Sequence, residues 1–142
     1  MNLKKYDGKL VQIISKHDNK IYEGICEYNS KEYCYHEFGR EEESLEIFHF
    51  LFYKCDIEKI KEINKFTQKY SEIEKETVSD IALLEQGLDD EDDIIIYRLL
   101  SCLEDIELNG DILNLLENLI KNNKDKRIIN KAKELIGKGV IV

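Results

Sequence analysis

Residues 9–28 have the sequence KLVQIISKHDNKIYEGICEY. Residues 9–16 are rich in β-branched side chains, and residues 20–28 alternate in the way that is typical of a β-strand. The HDN cluster at residues 17–19 is typical of a turn, so the stretch predicts an antiparallel β-hairpin. Gly24 within the second strand predicts a bulge or sharp bend, which would let a short sheet curl and favours a barrel over a flat sheet.

Residues 29–63 extend the predicted sheet. Residues 45–53 are strongly apolar and aromatic and predict one central strand, while residues 56–63 predict a strand that closes the sheet. Residues 29–44 are polar with several aromatic side chains, and they predict a long irregular connection. Connections of this length are often functional or mobile.

The apolar period changes after residue 64. Apolar side chains then recur at steps of three and four, which predicts one long helix that ends near Gln86 with Gly87 as its C-cap. Three short amphipathic helices are predicted to follow, each preceded by a polar break. The acidic break at residues 89–93 is favourable at a helix start, because the first backbone amides are unpaired and the helix dipole is positive there.

The fold class that these patterns predict is α+β. A small curled antiparallel β-sheet or barrel is expected over residues 1–64, and a bundle of about four helices over residues 65–142. The chain of 142 residues with 42% hydrophobic and 36% charged residues is long and apolar enough to fold throughout.

No apolar run approaches the roughly 20 residues that a membrane helix needs. The N-terminus also lacks the apolar core of a secretory signal, so a cytoplasmic location is expected. The four cysteines form no CxxC pair, and reduced thiols are therefore expected.

Charge is distributed unevenly along the chain, whose formal net charge is -9. Residues 72–117 contain fifteen acidic and two basic residues, whereas residues 118–142 contain seven basic and two acidic residues. An acidic surface of this kind attracts basic partners and repels a phosphate backbone. We therefore expect a protein partner with a basic surface, and a nucleic-acid partner is disfavoured.

The N-terminal half resembles the small barrels of the Sm-like and SH3-like type. The resemblance rests on DGKLV at residues 7–11, YEGI at residues 22–25 and YKCDIEKI at residues 53–60. It implies a similar fold. It does not imply RNA binding, because the Asp-x-x-Asn turn of the Sm-like family is replaced by EYNS at residues 27–30 and its Arg-Gly pair by Lys54-Cys55.

The rhythm of the C-terminal helices resembles HEAT-like hairpins. Such arrays normally need about three repeats for stability. The short acidic helices also resemble immunity proteins that neutralise bacterial toxins, although no diagnostic motif is present.

Catalytic and metal-binding motifs are not apparent in the sequence, and we expect no enzyme activity, no cofactor and no metal. Cysteines and histidines lack the paired spacing of a zinc site. The acidic run at residues 89–93 lacks the alternating layout of a calcium loop. One enzymatic alternative stays open, in which Cys34, His36 and Glu37 converge in a pocket.

Two groups of residues are the candidate partner-binding sites. Tyrosine and arginine are frequent where partners are gripped, which makes the aromatic segment a candidate, with a lid over the barrel as the alternative. Its residues are Tyr28, Tyr33, Tyr35, Phe38 and Arg40. The second group is the acidic run Asp89, Asp90, Glu91, Asp92 and Asp93, with helix capping as the alternative.

The function predicted from the sequence is a non-enzymatic protein-binding module with an acidic face. An immunity or inhibitor protein that masks the basic groove of a toxin is its most specific version. The alternative is an Sm-like nucleic-acid accessory module that uses the barrel and the basic C-terminal segment, residues 121–138.

Overall fold

The structure, a computed structural model, describes the backbone of residues 1–140 and the side chains of residues 1–138. The fold is α+β, as predicted, with strands in the first part of the chain and helices in the second. The chain divides into two compact units, Met1–Ile73 and Glu74–Val142. Residues 141 and 142, the end of the predicted helical subdomain, lie outside the described residues.

Among its described residues the first unit contains six strands, one complete α-helix and two short 3₁₀ helices, Leu3–Tyr6 and Lys54–Asp56. In chain order the strands and the α-helix are β1 (Leu10–Ser15), β2 (Ile21–Ile25), β3 (Glu27–Asn29), α1 (Lys31–Phe38), β4 (Ser44–Ile47), β5 (Phe50–Tyr53) and β6 (Ile57–Glu62). They form two three-stranded antiparallel sheets, ordered β2-β1-β6 and β3-β4-β5. The sheets do not join into a closed barrel, which corrects the barrel alternative.

The predicted hairpin is confirmed, because β1 and β2 pair from Leu10 opposite Ile25 to Ile14 opposite Ile21. The predicted bulge at Gly24 is wrong, since the pairing is continuous there, and the register instead shifts between Ile14 and Ser15 against β6. A Cβ atom at Gly24 would overlap Cγ2 of Ile47 on β4. Glycine is therefore required there for close packing of the two sheets.

Residues 29–53 differ from prediction in two places. The expected irregular connection contains the helix α1, and the expected single central strand is the hairpin of β4 and β5. The predicted second strand, residues 20–28, is likewise divided into β2 and β3, which belong to different sheets. Phe48, in the turn of this hairpin, has a φ of 53°. A left-handed conformation is unusual for phenylalanine. Because the turn contains no glycine, the sequence gives no indication of a hairpin at this position.

The predicted long helix after residue 64 is also wrong. Residues 64–71 are not helical, and two helices follow, α2 (Glu72–Val78) and α3 (Ile81–Leu88). Asp80 separates them, because its side chain accepts hydrogen bonds from the first amides of α3. Gly87 lies inside α3 rather than at its C-cap, and a Cβ atom there would overlap Leu99.

The three short helices that the sequence predicts are confirmed as α4 (Asp93–Leu103), α5 (Gly110–Asn122) and α6 (Lys126–Val140). Asp92 caps α4 and Asn109 caps α5 through their side chains. Within the second unit α6 packs against both α4 and α5, and α3 packs against α4 and α5. Among residues 1–140, no helix is both long and apolar enough to span a membrane.

The core of the first unit lies between its sheets. Its fully buried side chains include Leu3, Val11, Ile13, Cys26 and Leu45. The second unit has its own core, which includes Leu84, Leu100, Leu103, Leu116, Ile128 and Leu135. Burial of this many aliphatic side chains stabilises each unit through the hydrophobic effect.

Candidate partner-binding surfaces

Helix α1 is fixed at both ends and on one side. The Oγ atom of Ser30 accepts a hydrogen bond from the Tyr33 amide at 3.1 Å, and Gly39 ends the helix with a φ of 72°. The Cys34 side chain is fully buried, and its Sγ lies 3.2 Å from Oγ of Ser44. The short helix is therefore anchored to the sheet of β3, β4 and β5.

Three aromatic side chains of α1 are exposed around this anchor. Tyr33 is 48% exposed, Tyr35 57% and Phe38 45%. The rings of Tyr33 and Phe38 meet edge to face, with their centroids 6.0 Å apart. The exposed carboxylates Glu32, Glu37 and Glu41 lie on the same helix or directly after it. We call Tyr33, Tyr35 and Phe38 the α1 aromatic surface.

Tyr28 is half-buried and makes an internal contact. Its hydroxyl donates a hydrogen bond to Oε2 of Glu43 at 2.5 Å. This bond to a carboxylate, together with burial, raises the pKa of Tyr28 to about 12. Tyr28 therefore contributes to the β3–β4 packing, and a role in partner binding stays a prediction.

Arg40 is exposed, but its guanidinium makes three contacts within the first unit. Its Nε donates to Oε2 of Glu42 at 2.9 Å, and its Nη2 lies 3.0 Å from Sγ of Cys55. The guanidinium carbon also lies 4.0 Å from the centre of the Tyr53 ring. Arg40 thus joins the end of α1 to the segment after β5, and a role in partner binding stays a prediction here too.

Cys55 is the exposed member of the four cysteines, whereas Cys26, Cys34 and Cys102 are buried. Its hydrogen bond with Glu42 raises the pKa of Cys55, with smaller contributions from burial and from Asp56. Burial raises the pKa of Cys26 to about 11. The thiolate is the nucleophilic form of cysteine, and a raised pKa lowers the thiolate fraction at neutral pH. The pKa shifts of Cys55 and Cys26 therefore do not activate these thiols as nucleophiles.

Alkylation of the native chain with iodoacetamide is expected to modify Cys55 alone, and slowly near neutral pH. A raised pKa lowers the thiolate fraction at a given pH, so the rate should rise as the pH increases. Glu42→Gln should increase the rate several-fold at pH 8, while Glu41→Gln, a neighbouring exposed acid without a bond to Cys55, should not. Peptide mass mapping with time measures both. Equal rates for the two variants would contradict the assignment to Glu42.

The acidic run at residues 89–93 has mixed roles. The side chain of Asp92 accepts a hydrogen bond from the Ile94 amide at 2.9 Å, and Asp90 accepts one from the Asp92 amide at 2.8 Å. These two carboxylates therefore accept hydrogen bonds from backbone amides at the N-terminus of α4. Asp93 is half-buried, whereas Asp89 and Glu91 are exposed. Partner binding by the run as a whole stays a prediction.

The bases of the C-terminal segment are partly used within the second unit. Lys131 forms an ion pair with Glu104, and Lys138 donates to the backbone carbonyl of Glu104. Arg127 pairs at 2.9 Å with Asp125, which directly precedes α6. Lys131 of α6 therefore neutralises the carboxylate of Glu104 at the end of α4, which removes one acid from the acidic face that the sequence suggested.

The residues of the enzymatic alternative have different environments. Cys34 is buried, whereas His36 and Glu37 are exposed. The Cys34 thiol lies close to Ser44 and to the backbone carbonyl of Asn29. The three side chains therefore do not converge. Within the part of the chain that the structure describes, no group of three or more His, Cys, Asp and Glu side chains is arranged to hold a metal ion.

The structure adds a surface that the sequence analysis missed. An open groove of about 500 Å³ lies along α3 and α5, and Leu88, Leu115 and Leu119 form its buried or half-buried floor. Exposed polar residues form its walls. These are Glu85, Gln86, Asp89, Asn118 and Asn122. The sequence does contain a trace of this surface, namely two pairs of polar residues four apart, Glu85 with Asp89 and Asn118 with Asn122. Residues four apart on a helix lie one turn apart on the same face.

Comparison of the chain with protein-family models, with curated proteins and with solved structures finds no significant match to any of them. The class of protein that the fold defines is thus an α+β chain with two compact units.

Proposed function

We propose that this chain is a non-enzymatic protein-binding module for a partner with a basic surface, and that the α1 aromatic surface is the main contact. The observation that carries this proposal is three exposed aromatic rings on one eight-residue helix. Tyr33 and Phe38 contact each other, and Tyr35 contacts His36. Solvent-exposed aromatic side chains are normally scattered, and three of them within one short helix are typical of an interaction site.

The chemistry of α1 supports a cationic partner. Tyrosine and phenylalanine rings attract lysine and arginine side chains through cation–π interactions. Glu32, Glu37 and Glu41 add negative charge around the rings, while the nearby cation Arg40 is already paired with Glu42. The helix is also anchored by Ser30, Cys34 and Gly39, which lowers the entropy lost when a partner binds.

An immunity or inhibitor protein is the most specific version of this proposal. In that version the partner is a toxin with a basic substrate groove, and α1 covers part of that groove. Binding would then abolish the activity of the toxin. The raised pKa of Cys55 supports the non-enzymatic part of the proposal, since the exposed thiol is not activated as a nucleophile.

The proposal is tested by quantitative capture from an extract of the source cells. The native chain is expected to retain a basic protein at low salt and to release it at about 0.5 M NaCl, where charges are strongly screened. The Tyr33→Ala/Tyr35→Ala/Phe38→Ala variant should lose the partner. Ile25→Ala is the matched control, because Ile25 is 47% exposed in the same unit but lies outside α1.

Two outcomes would contradict this proposal. One is that no basic protein is retained at low salt, and the other is that the triple variant retains the partner as well as the control does. The alternative function, a nucleic-acid accessory module, predicts instead that labelled RNA is bound at low ionic strength and that its affinity falls steeply with salt. An RNA shift without a protein partner would favour that alternative.

A further inference from the structure

We infer that the groove between α3 and α5 binds an extended peptide segment that carries lysine or arginine side chains. The inference goes beyond the proposed function, because it concerns a different surface in the second unit and does not require α1 to bind anything. It rests on the shape of the groove, on the spacing of its polar groups and on its charge.

The groove has the composition of a peptide site. Its apolar floor is Leu88, Leu115 and Leu119, and its volume of about 500 Å³ is in the range typical of ligand sites. The polar side chains of the walls are uncommitted. Within the described residues, none of Glu85, Gln86, Asp89, Asn118 and Asn122 donates or accepts a side-chain hydrogen bond or forms an ion pair.

The spacing of the asparagines fits an extended backbone. Asn118 and Asn122 both belong to α5 and are four residues apart, so their side chains are about 6 Å apart along the helix axis. An extended peptide repeats every two residues, about 6.6 Å. Each carboxamide has one acceptor and two donors, and therefore matches the N–H and C=O of a peptide unit. Two asparagines at this spacing can contact alternate units of one segment.

The charge of the groove selects the side chains of that segment. Its titratable wall residues are Glu85 and Asp89, both exposed carboxylates one turn apart at the end of α3. No basic residue is among the described residues that line the groove. Charge complementarity therefore favours lysine or arginine on the segment and disfavours glutamate or aspartate.

Fluorescence anisotropy of a labelled peptide tests the inference. The probe is a short fluorescein-labelled peptide in which lysine alternates with alanine, and the control probe has glutamate in place of lysine. The full chain should bind the lysine peptide and not the glutamate peptide. Glu85→Gln/Asp89→Asn should weaken binding about tenfold and reduce its dependence on salt.

The asparagine variant separates a peptide site from attraction by charge alone. Asn118→Ala/Asn122→Ala leaves the net charge unchanged, and it should also weaken binding about tenfold while the salt dependence is retained. The matched control for charge is Glu107→Gln/Glu117→Gln. It removes two exposed carboxylates outside the groove and should change the affinity less than twofold.

The native chain supplies a second measurement that needs no variant. In a ¹⁵N-labelled sample, the side-chain NH₂ resonances of Asn118 and Asn122 should shift when the lysine peptide is added. The inference is overturned if those resonances do not move, or if the Glu107/Glu117 control weakens binding as much as the groove variants do. The α1 triple variant should bind the peptide normally, so failure of this inference is distinguishable from failure of the proposed function.

Discussion

Replacement of Arg98 by methionine is expected to lower the free energy of unfolding of the second unit by about 3–5 kcal/mol. Arg98 on α4 donates from Nε to Oε1 of Glu74 at 2.5 Å, and both side chains are about nine-tenths buried. The variant removes the cation and keeps the buried carboxylate. Most of the loss comes from the desolvated charge of Glu74, rather than from the attraction between the two groups.

Urea denaturation followed by far-UV circular dichroism measures this loss. Arg127→Met is the matched control, because Arg127 also pairs with an acid but its side chain is 74% exposed. Exposed ion pairs contribute about 1 kcal/mol or less, so the control should unfold nearly as the native chain does. In a double-mutant cycle, Glu74→Leu with Arg98→Met should lose less than the sum of the single variants. A loss below about 1 kcal/mol for Arg98→Met would show that the pair is not buried in solution.

The parts of the fold that were predictable are those whose signals are local. The β1–β2 hairpin was predictable because alternation and a turn cluster coincide within twenty residues. Helices α4, α5 and α6 were predictable because polar residues precede each apolar stripe, and Asp92 and Asn109 cap two of them. These signals depend on the backbone geometry of a few neighbouring residues.

The missed elements depend on contacts between distant residues or on weak local signals. Helix α1 has a cap at Ser30 and a terminal Gly39, but its only buried side chain is Cys34, so it shows no apolar stripe. The side chains at 66 and 70 have helical spacing, yet their segment is held in a non-helical path by Glu23, more than forty residues earlier. A tertiary hydrogen bond of this kind overrides periodicity, and spacing along the chain does not reveal it.

The candidate sites also divide into features that the local sequence indicates and features that depend on contacts between distant residues. The aromatic residues of α1 were identified from composition, but their exposure is known only from the structure. Arg40 looked available in the sequence, whereas its contacts with Tyr53 and Cys55 arise from the folding of the β4–β5 hairpin. The α3–α5 groove needed two helices to be placed side by side. The sequence of one helix shows the polar residues of only one of its two walls.

Replacement of Glu23 by glutamine is expected to release residues 64–70 from the first sheet and to lower the free energy of unfolding of the first unit by about 1–3 kcal/mol. The Glu23 side chain is only 2% exposed and accepts hydrogen bonds exclusively. The donors are Gln12 Nε2 at 3.0 Å, Thr67 N at 3.2 Å, Thr67 Oγ1 at 2.5 Å and Gln68 N at 3.3 Å. The variant would place an NH₂ group among these donors, of which only the Thr67 hydroxyl can also accept, and that oxygen already accepts a hydrogen bond from Gln12 Nε2.

Limited proteolysis detects this release more directly than denaturation does. Trypsin should cleave after Lys65 and Lys69 faster in Glu23→Gln than in the native chain, and amide exchange at Thr67 and Gln68 should be faster as well. Glu58→Gln is the matched control, because Glu58 is an exposed acid on β6 of the same sheet. Cleavage at the native rate in Glu23→Gln would mean that the segment is held by its apolar contacts. The carboxylate would then not be needed to hold the segment. That result would also mean that the amide group of the variant, although buried among four donors, forms new hydrogen bonds at little cost in free energy.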